Sequence, residues 1–206
     1  MKRVLFSIFA VLLYVLPAGA SVDIKEVKTP GGLTAWLVED QSIPFMALEI
    51  RFRGGASLDA AGKRGATNLM TYLLEEGAGD MDAREYARAV EGLAASISVR
   101  IDDDALSVSA RFLTENRAEA VALLKAAIQE PRFDDDAIER VRAQVLSGIE
   151  SDAKDPDELA SRAMDRIADG DHPYATSLRG TLESVTALTM DGVCAAPRGV
   201  LGRVRI

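Results

Sequence analysis

The sequence predicts an α+β fold in which helices pack on one face of a largely antiparallel sheet. Three observations support this prediction. Several short segments alternate apolar and polar residues, as half-buried strands do. Several longer segments place apolar residues three or four positions apart, as amphipathic helices do. The strands also occur in hairpins, without the β-α-β rhythm of a parallel sheet.

The chain opens with predicted strands and a helix. Residues 23–28 and 33–39 are rich in valine, isoleucine, tryptophan and leucine, and the Thr29-Pro30-Gly31-Gly32 segment between them suits a hairpin turn. A third strand over residues 45–52 stops before Gly54-Gly55. Residues 62–77 then change to helical spacing, and a second helix is predicted over residues 82–93.

A second hairpin and four helical segments follow. SISVRI and ALSVSARFL alternate on either side of Asp102-Asp103-Asp104, so these aspartates are predicted at a solvated hairpin tip. Helices are then predicted from apolar spacing, acidic first turns and prolines, with a loop over residues 170–174 before the last. They cover residues 115–129, 134–152, 155–168 and 181–188.

Composition excludes several classes of function. The 206 residues are 48% hydrophobic and 27% charged, as in an ordinary globular chain. A net charge of −8 opposes binding to nucleic acid or to anionic lipid. One cysteine, Cys194, leaves no disulfide framework and no cysteine-rich zinc site.

Residues 1–20 are predicted to be a secretory signal peptide. Lys2 and Arg3 precede an apolar run over residues 4–16, and Pro17-Ala18-Gly19-Ala20 ends in the small residues that a signal peptidase requires. The run is shorter than the roughly twenty residues of a membrane-spanning helix. We therefore expect export across an inner membrane into a periplasm, with no membrane span in the mature chain.

Residues 21–190 resemble the N-terminal domain of the pitrilysin/insulinase family of zinc peptidases. The resemblance begins with the GGLT hairpin, a strand ending in GGAS, and a helix that starts at Gly65-Ala66 and leads to Glu76-Gly77. It continues with a D-x-P-x-x-x-A stretch at residues 152–160, His172-Pro173-Tyr174 and a G-T-x-E-S-V stretch at residues 180–185. The shared order of these stretches is more specific than any one of them.

The resemblance implies a zinc site whose positions are vacant here. The family carries H-x-x-E-H on the first helix, where two histidines bind zinc and the glutamate acts as general base. This chain has Asn68, Thr71 and Tyr72 at those positions. The family's third ligand, a glutamate about 76 residues further on, falls on Gly148. His172, the chain's one histidine, belongs to the H-P-Y loop and is predicted to be a loop-packing residue.

We therefore predict a catalytically inactive homologue, without zinc or another cofactor and with no catalytic residue. In the family, degenerate subunits pair with a zinc-bearing subunit that cleaves unfolded peptides, so the resemblance implies such a partner. Two alternatives stay open. One is an active metallopeptidase with a non-standard site built from Glu150, Asp152 or Asp155. The other is a nonfunctional fragment, since the family's full subunit has two homologous domains.

Residues 191–206 form an atypical tail. After Asp191 the chain has no acidic residue, whereas three arginines and Pro197 occur where the family would continue a helix. We expect a truncated or frameshifted product here, with a naturally short tail as the alternative.

Overall fold

A computed structural model describes residues 22–189, 191–193 and 201. The predicted signal peptide and most of the predicted tail lie outside these residues. The chain divides into two compact units between Ile43 and Pro44. The described strands are β1 (Ile24–Lys28), β2 (Thr34–Val38), β3 (Phe45–Arg53), β4 (Gly77–Ala78), β5 (Met81–Asp82), β6 (Ser96–Ile101) and β7 (Ala105–Leu113). The described helices are α1 (Ala66–Leu73), α2 (Ala83–Gly92), α3 (Arg117–Gln129), α4 (Asp135–Asp152), α5 (Pro156–Asp169) and α6 (Leu182–Ala187).

The first unit contains the predicted hairpin of β1 and β2. The strands pair antiparallel, from Ile24 opposite Val38 to Lys28 opposite Thr34. Gly32 has a φ of 84°, a left-handed conformation that glycine adopts without steric cost. All ten strand residues are exposed, and Trp36 is 82% exposed.

The second unit is built on an antiparallel sheet with the strand order β3-β7-β6. Alternation along β7 separates a buried face from a polar one, because successive side chains of a strand point to opposite sides. The buried face carries Leu106, Val108, Ala110 and Phe112, whereas Ser107, Ser109 and Arg111 face the other way. The buried face packs against apolar residues of α1, α3, α4 and α6 in one core. The predicted fold class is confirmed.

Side-chain caps explain where several helices begin. The Asp82 side chain accepts hydrogen bonds from the first turn of α2, and Glu85 completes a capping box with it. Asp155 caps α5, with Pro156 in the first turn. Thr181 and Ser184 form a second capping box at α6. The sequence prediction used the acidic residues near the start of α2 and Pro156 of α5, whereas the capping hydrogen bonds are seen only in the structure.

The structure departs from the sequence predictions at two places. The helix predicted over residues 62–77 is shorter at both ends. Gly65, directly before it, has a left-handed φ of 97°, and beyond its end Gly77 has a φ of 118° and pairs with Asp82 in the short β4–β5 hairpin. The aspartates of the β6–β7 turn are not simply solvated. Asp102 accepts hydrogen bonds from backbone N–H groups of its own turn, Asp103 pairs with Arg64, and Asp104 accepts a hydrogen bond from the Tyr174 hydroxyl.

Candidate functional site

Asp59 holds the N-terminal end of α1, the helix that carries three of the four predicted site residues. Its carboxylate accepts hydrogen bonds from the backbone N–H groups of Gly65 (2.8 Å) and Thr67 (3.0 Å), and from the Thr67 hydroxyl (2.6 Å). A carboxylate at this end satisfies free N–H groups and interacts favourably with the helix dipole. The position of α1 is therefore well defined.

The three site residues of α1 differ in exposure. Asn68 and Thr71 are buried, at 7% and 3% exposed, whereas Tyr72 is 44% exposed. The Thr71 hydroxyl donates to the backbone carbonyl of Asn68 at 2.7 Å, and the buried Asn68 Oδ1 has no hydrogen-bond partner among the described residues. Residues four apart lie on one helical face, so Asn68 and Tyr72 are neighbours along α1. Asn68 is at the buried part of this face and Tyr72 at the exposed part.

Gly148 lies on α4, which packs against α1. The side chain nearest to Gly148 in space is that of Arg179. A Cβ atom on Gly148 would be 3.4 Å from Nη1 of Arg179. The same Nη1 donates to Oδ2 of Asp152 at 2.7 Å, and Nη2 of Arg162 donates to that oxygen at 3.3 Å. The predicted third ligand position therefore faces a guanidinium group.

The segment that carries Arg179 is closely packed against the start of α1. A Cβ atom on Gly65 would lie 2.4 Å from the Arg179 carbonyl oxygen, and one on Gly180 would lie 2.2 Å from the Arg64 carbonyl oxygen. The Ser184 hydroxyl donates to that Arg64 carbonyl at 2.7 Å. Two glycines thus permit a backbone approach that any side chain would block.

His172 has a structural role in its loop. Its Nδ1 accepts a hydrogen bond from the Tyr174 N–H at 3.4 Å, and the two rings meet edge to face with centroids 4.4 Å apart. This agrees with the predicted loop-packing role.

Two carboxylates follow α1 and have different partners. Glu75 accepts a hydrogen bond from the Val99 N–H on β6 at 3.0 Å, and Glu76 pairs with Arg140 of α4 at 2.6 Å. Burial raises the pKa of the Glu75 carboxyl, the hydrogen bond from Val99 lowers it, and the nearby charge of Glu76 raises it. Both carboxylates are therefore held by structural contacts.

Residues 35–182 match the sequence model of the family described as insulinase (peptidase family M16). This match covers well over half of the chain. The chain therefore belongs to the insulinase family.

Individual relatives agree with this assignment. A Helicobacter pylori protein named non-peptidase homolog YmxG is 28% identical over 193 residues, which are 93% of this chain and 44% of that protein. A solved structure of a peptidase M16 inactive domain from Pseudomonas fluorescens has a TM-score of 0.80 and 28% identity over 85% of this chain and 43% of that one. A Mycobacterium leprae protein named uncharacterized zinc protease ML0855 is 23% identical over 172 residues, 84% of this chain and 39% of that protein. The chain thus spans less than half the length of these relatives.

The residues at the predicted metal positions do not fit zinc. The resemblance predicts an asparagine oxygen, a tyrosine hydroxyl and a glycine where the family has imidazole and carboxylate ligands, and zinc sites are built almost entirely from histidine, cysteine and carboxylate. In the part of the chain that the structure describes, no group of three histidine, cysteine, aspartate or glutamate residues is placed to hold a metal ion. That the positions correspond to the family's ligands stays a prediction.

Sequence reasoning missed Arg179. It identified Gly148 as vacant, but nothing in the spacing of the chain shows that residue 179 lies beside residue 148. The nearest signal is that Arg179 immediately precedes the G-T-x-E-S-V stretch.

No helix among the described residues is long and apolar enough to cross a membrane.

Proposed function

We propose that this protein is a catalytically inactive homologue of a zinc metallopeptidase and the non-catalytic partner of a zinc-bearing subunit that cleaves unfolded peptides. Two things carry the proposal: the chain's membership of the family, and the prediction that Asn68, Thr71, Tyr72 and Gly148 stand at the positions of ligands and base. Without a metal-bound water and a general base, hydrolysis by the family's chemistry has no nucleophile.

The burial of Thr71 supports loss of activity. Thr71, at the predicted position of the general base, has its hydroxyl engaged with the Asn68 carbonyl and is 3% exposed. A general base must lie within hydrogen-bond reach of the proton that it removes, and its pKa must lie near the operating pH. A buried threonine hydroxyl meets neither condition. Two relatives whose names describe a non-peptidase homologue and an inactive domain support the same conclusion.

The alternative of a non-standard metal site has less support. Asp152 is shared by Arg162 and Arg179, and Asp155 caps α5 by accepting from the Asp157 N–H at 2.9 Å. Carboxylates paired with cations or helix N-termini are poor candidates for recruiting a metal, because each would have to give up its present partner.

We also propose that the protein acts in the periplasm after removal of residues 1–20. The basic start, the short apolar run and the small residues before Ser21 support export. Sequencing the N-terminus of the soluble extracytoplasmic protein should start at Ser21. An intact Met1 on that protein would contradict the proposal.

A mixing experiment tests the partner role. The purified chain alone should contain no stoichiometric zinc by elemental analysis and should not cleave an unfolded peptide. A zinc-bearing relative with an intact H-x-x-E-H motif from the same cell should cleave the peptide faster when this chain is added. A variant of that relative with its general base replaced by glutamine is the control and should stay inactive.

The outcomes separate the candidate functions. About one zinc per chain, with cleavage that a chelator stops, would show an active peptidase with a non-standard site. No co-purification and no effect on any zinc-bearing relative would favour the nonfunctional fragment. Cleavage that needs both chains would support the partner role.

A further inference from the structure

Arg179 spans the two helices that carry the predicted ligand positions. Its carbonyl oxygen packs against Gly65 at the start of α1, and its guanidinium lies beside Gly148 on α4. The side chain is held at its far end by the 2.7 Å ion pair with Asp152. The residue is therefore anchored at both ends.

The charges around Gly148 leave a net positive group. The Asp152 side chain is 17% exposed and its Oδ2 pairs with both Arg162 and Arg179. One carboxylate between two guanidinium groups leaves an excess of one positive charge. The Arg179 side chain is 43% exposed, so solvent screens part of its charge, and the cluster disfavours a divalent cation mainly at close range.

The position of the Arg179 guanidinium also opposes metal binding by a side chain at residue 148. A side chain there would start 3.4 Å from Nη1 of Arg179. A carboxylate introduced at this position would lie close to the Arg179 guanidinium, and guanidinium groups form strong charge-assisted hydrogen bonds with carboxylates. It would therefore pair with Arg179 before it could bind a metal.

We infer that Arg179 excludes divalent metal from this site, so that the site would reject zinc even with its ligands restored. The inference rests on the proposed function, because it assumes that Asn68, Tyr72 and Gly148 occupy the family's ligand positions. The guanidinium lies where the third ligand would have to reach, and its charge opposes the ion.

Zinc titration of restored variants tests the inference. The background is the triple variant Asn68→His, Tyr72→His and Gly148→Glu, titrated with zinc chloride by calorimetry after circular dichroism confirms folding. Adding Arg179→Gln keeps an amide donor for Asp152 and removes the charge. We expect it to raise zinc affinity at least tenfold over the triple variant, about 1.4 kcal/mol.

Arg162→Gln in the same background is the matched control. It removes an equal charge from the same carboxylate, but no contact places Arg162 beside Gly148 among the described residues. It should change zinc affinity less than about threefold, because no atom of Arg162 lies within 4 Å of a Cβ atom on Gly148, so the substitution removes charge from the cluster without removing the group that would pair with a ligand at residue 148. Arg179→Leu provides a second neutral variant if Arg179→Gln does not fold.

Each outcome has one reading. Tighter binding only when Arg179 is replaced supports the inference. Equal binding by the triple variant and its Arg179→Gln derivative overturns the inference and leaves the site assignment intact. An equal gain from both arginine variants overturns a specific role for Arg179. Folded variants that all fail to bind zinc overturn the inference together with the assignment of residues 68, 72 and 148, on which the proposed function depends.

Discussion

The guanidinium of Arg64 lies 2.7 Å from the carboxylate of Asp103, and both side chains are largely buried, at 14% and 27% exposed. Arg64 also donates to the backbone carbonyls of Ala56, Pro173, Thr176 and Ser177. One side chain therefore joins the segment before α1, the β6–β7 turn and the H-P-Y loop.

Replacing Arg64 with alanine should destabilise the protein by about 3 kcal/mol, because it leaves a partly buried carboxylate and several carbonyls without their donor. Urea unfolding followed by circular dichroism measures the loss. Arg51→Ala is the control, since its pair with Asp102 is 65% and 54% exposed. An exposed pair contributes at most about 1 kcal/mol. Equal losses in the two variants would contradict the assigned role of Arg64.

Gly180→Ala should be far more damaging than Gly62→Ala. Both glycines have a left-handed backbone, with φ values of 83° and 75°, so both substitutions carry the same conformational cost of about 1 kcal/mol. Only at Gly180 would the new Cβ atom meet a carbonyl oxygen at 2.2 Å, whereas nothing lies within 4 Å of Gly62. We expect a difference of at least about 2 kcal/mol in unfolding free energy, as for a strained core contact. A smaller difference in unfolding free energy would mean that Gly180 is less closely packed against the Arg64 carbonyl than the structure shows.

Glu75→Gln should change how stability depends on pH. Partial desolvation raises the pKa of Glu75, a solvent-exposed residue, from its ordinary 4.5, so the folded protein binds this proton somewhat more tightly than the unfolded chain does. Stability from this group is then present below the ordinary pKa and is lost as pH rises through the raised one. Glutamine keeps an acceptor for the Val99 N–H and does not ionise. The variant should gain stability relative to the parent as pH rises from 4 to 7.

Glu76→Gln provides the contrast for that experiment. Glu76 pairs with Arg140 at 2.6 Å, so its replacement should lower stability at pH 7. Denaturant unfolding at both pH values compares the two variants. A Glu75→Gln variant whose stability follows the parent at every pH would show that burial of this carboxyl has no energetic effect.

Tyr86→Phe should leave the protein as stable as the parent or raise its stability by about 1 kcal/mol. The Tyr86 hydroxyl is buried and has no hydrogen-bond partner among the described residues, so removing it removes a desolvation cost. Burial, together with the charge of Glu75, raises the pKa of Tyr86 to about 12. Tyr174→Phe, which loses a hydrogen bond to Asp104, should be destabilising instead. A thermal melt that shows Tyr86→Phe to be clearly destabilised would point to an unseen partner, such as a water molecule.

Much of the fold follows from local patterns. The strict alternation of residues 105–113 predicted the central strand β7 and its buried face, because only one register places every apolar residue in the core. Acidic residues near the start of α2 and Pro156 in the first turn of α5 predicted these helices, and the structure adds side-chain caps at Asp82, Asp155 and Thr181. The two-residue strands β4 and β5 were missed, because so short a segment has no periodicity to detect.

At the candidate site too, some features follow from the sequence and others only from the tertiary structure. The chain sequence predicted that Asn68, Tyr72 and Gly148 stand at the family's ligand positions, where they would offer poor zinc chemistry. Only the tertiary structure placed Arg179 beside Gly148 and Arg64 against Asp103. Those contacts join residues about 30 and 40 positions apart, and they depend on how helices and loops pack rather than on any local spacing. Composition and periodicity are local properties of the chain, whereas the charge that surrounds a vacant ligand position is a property of the folded molecule.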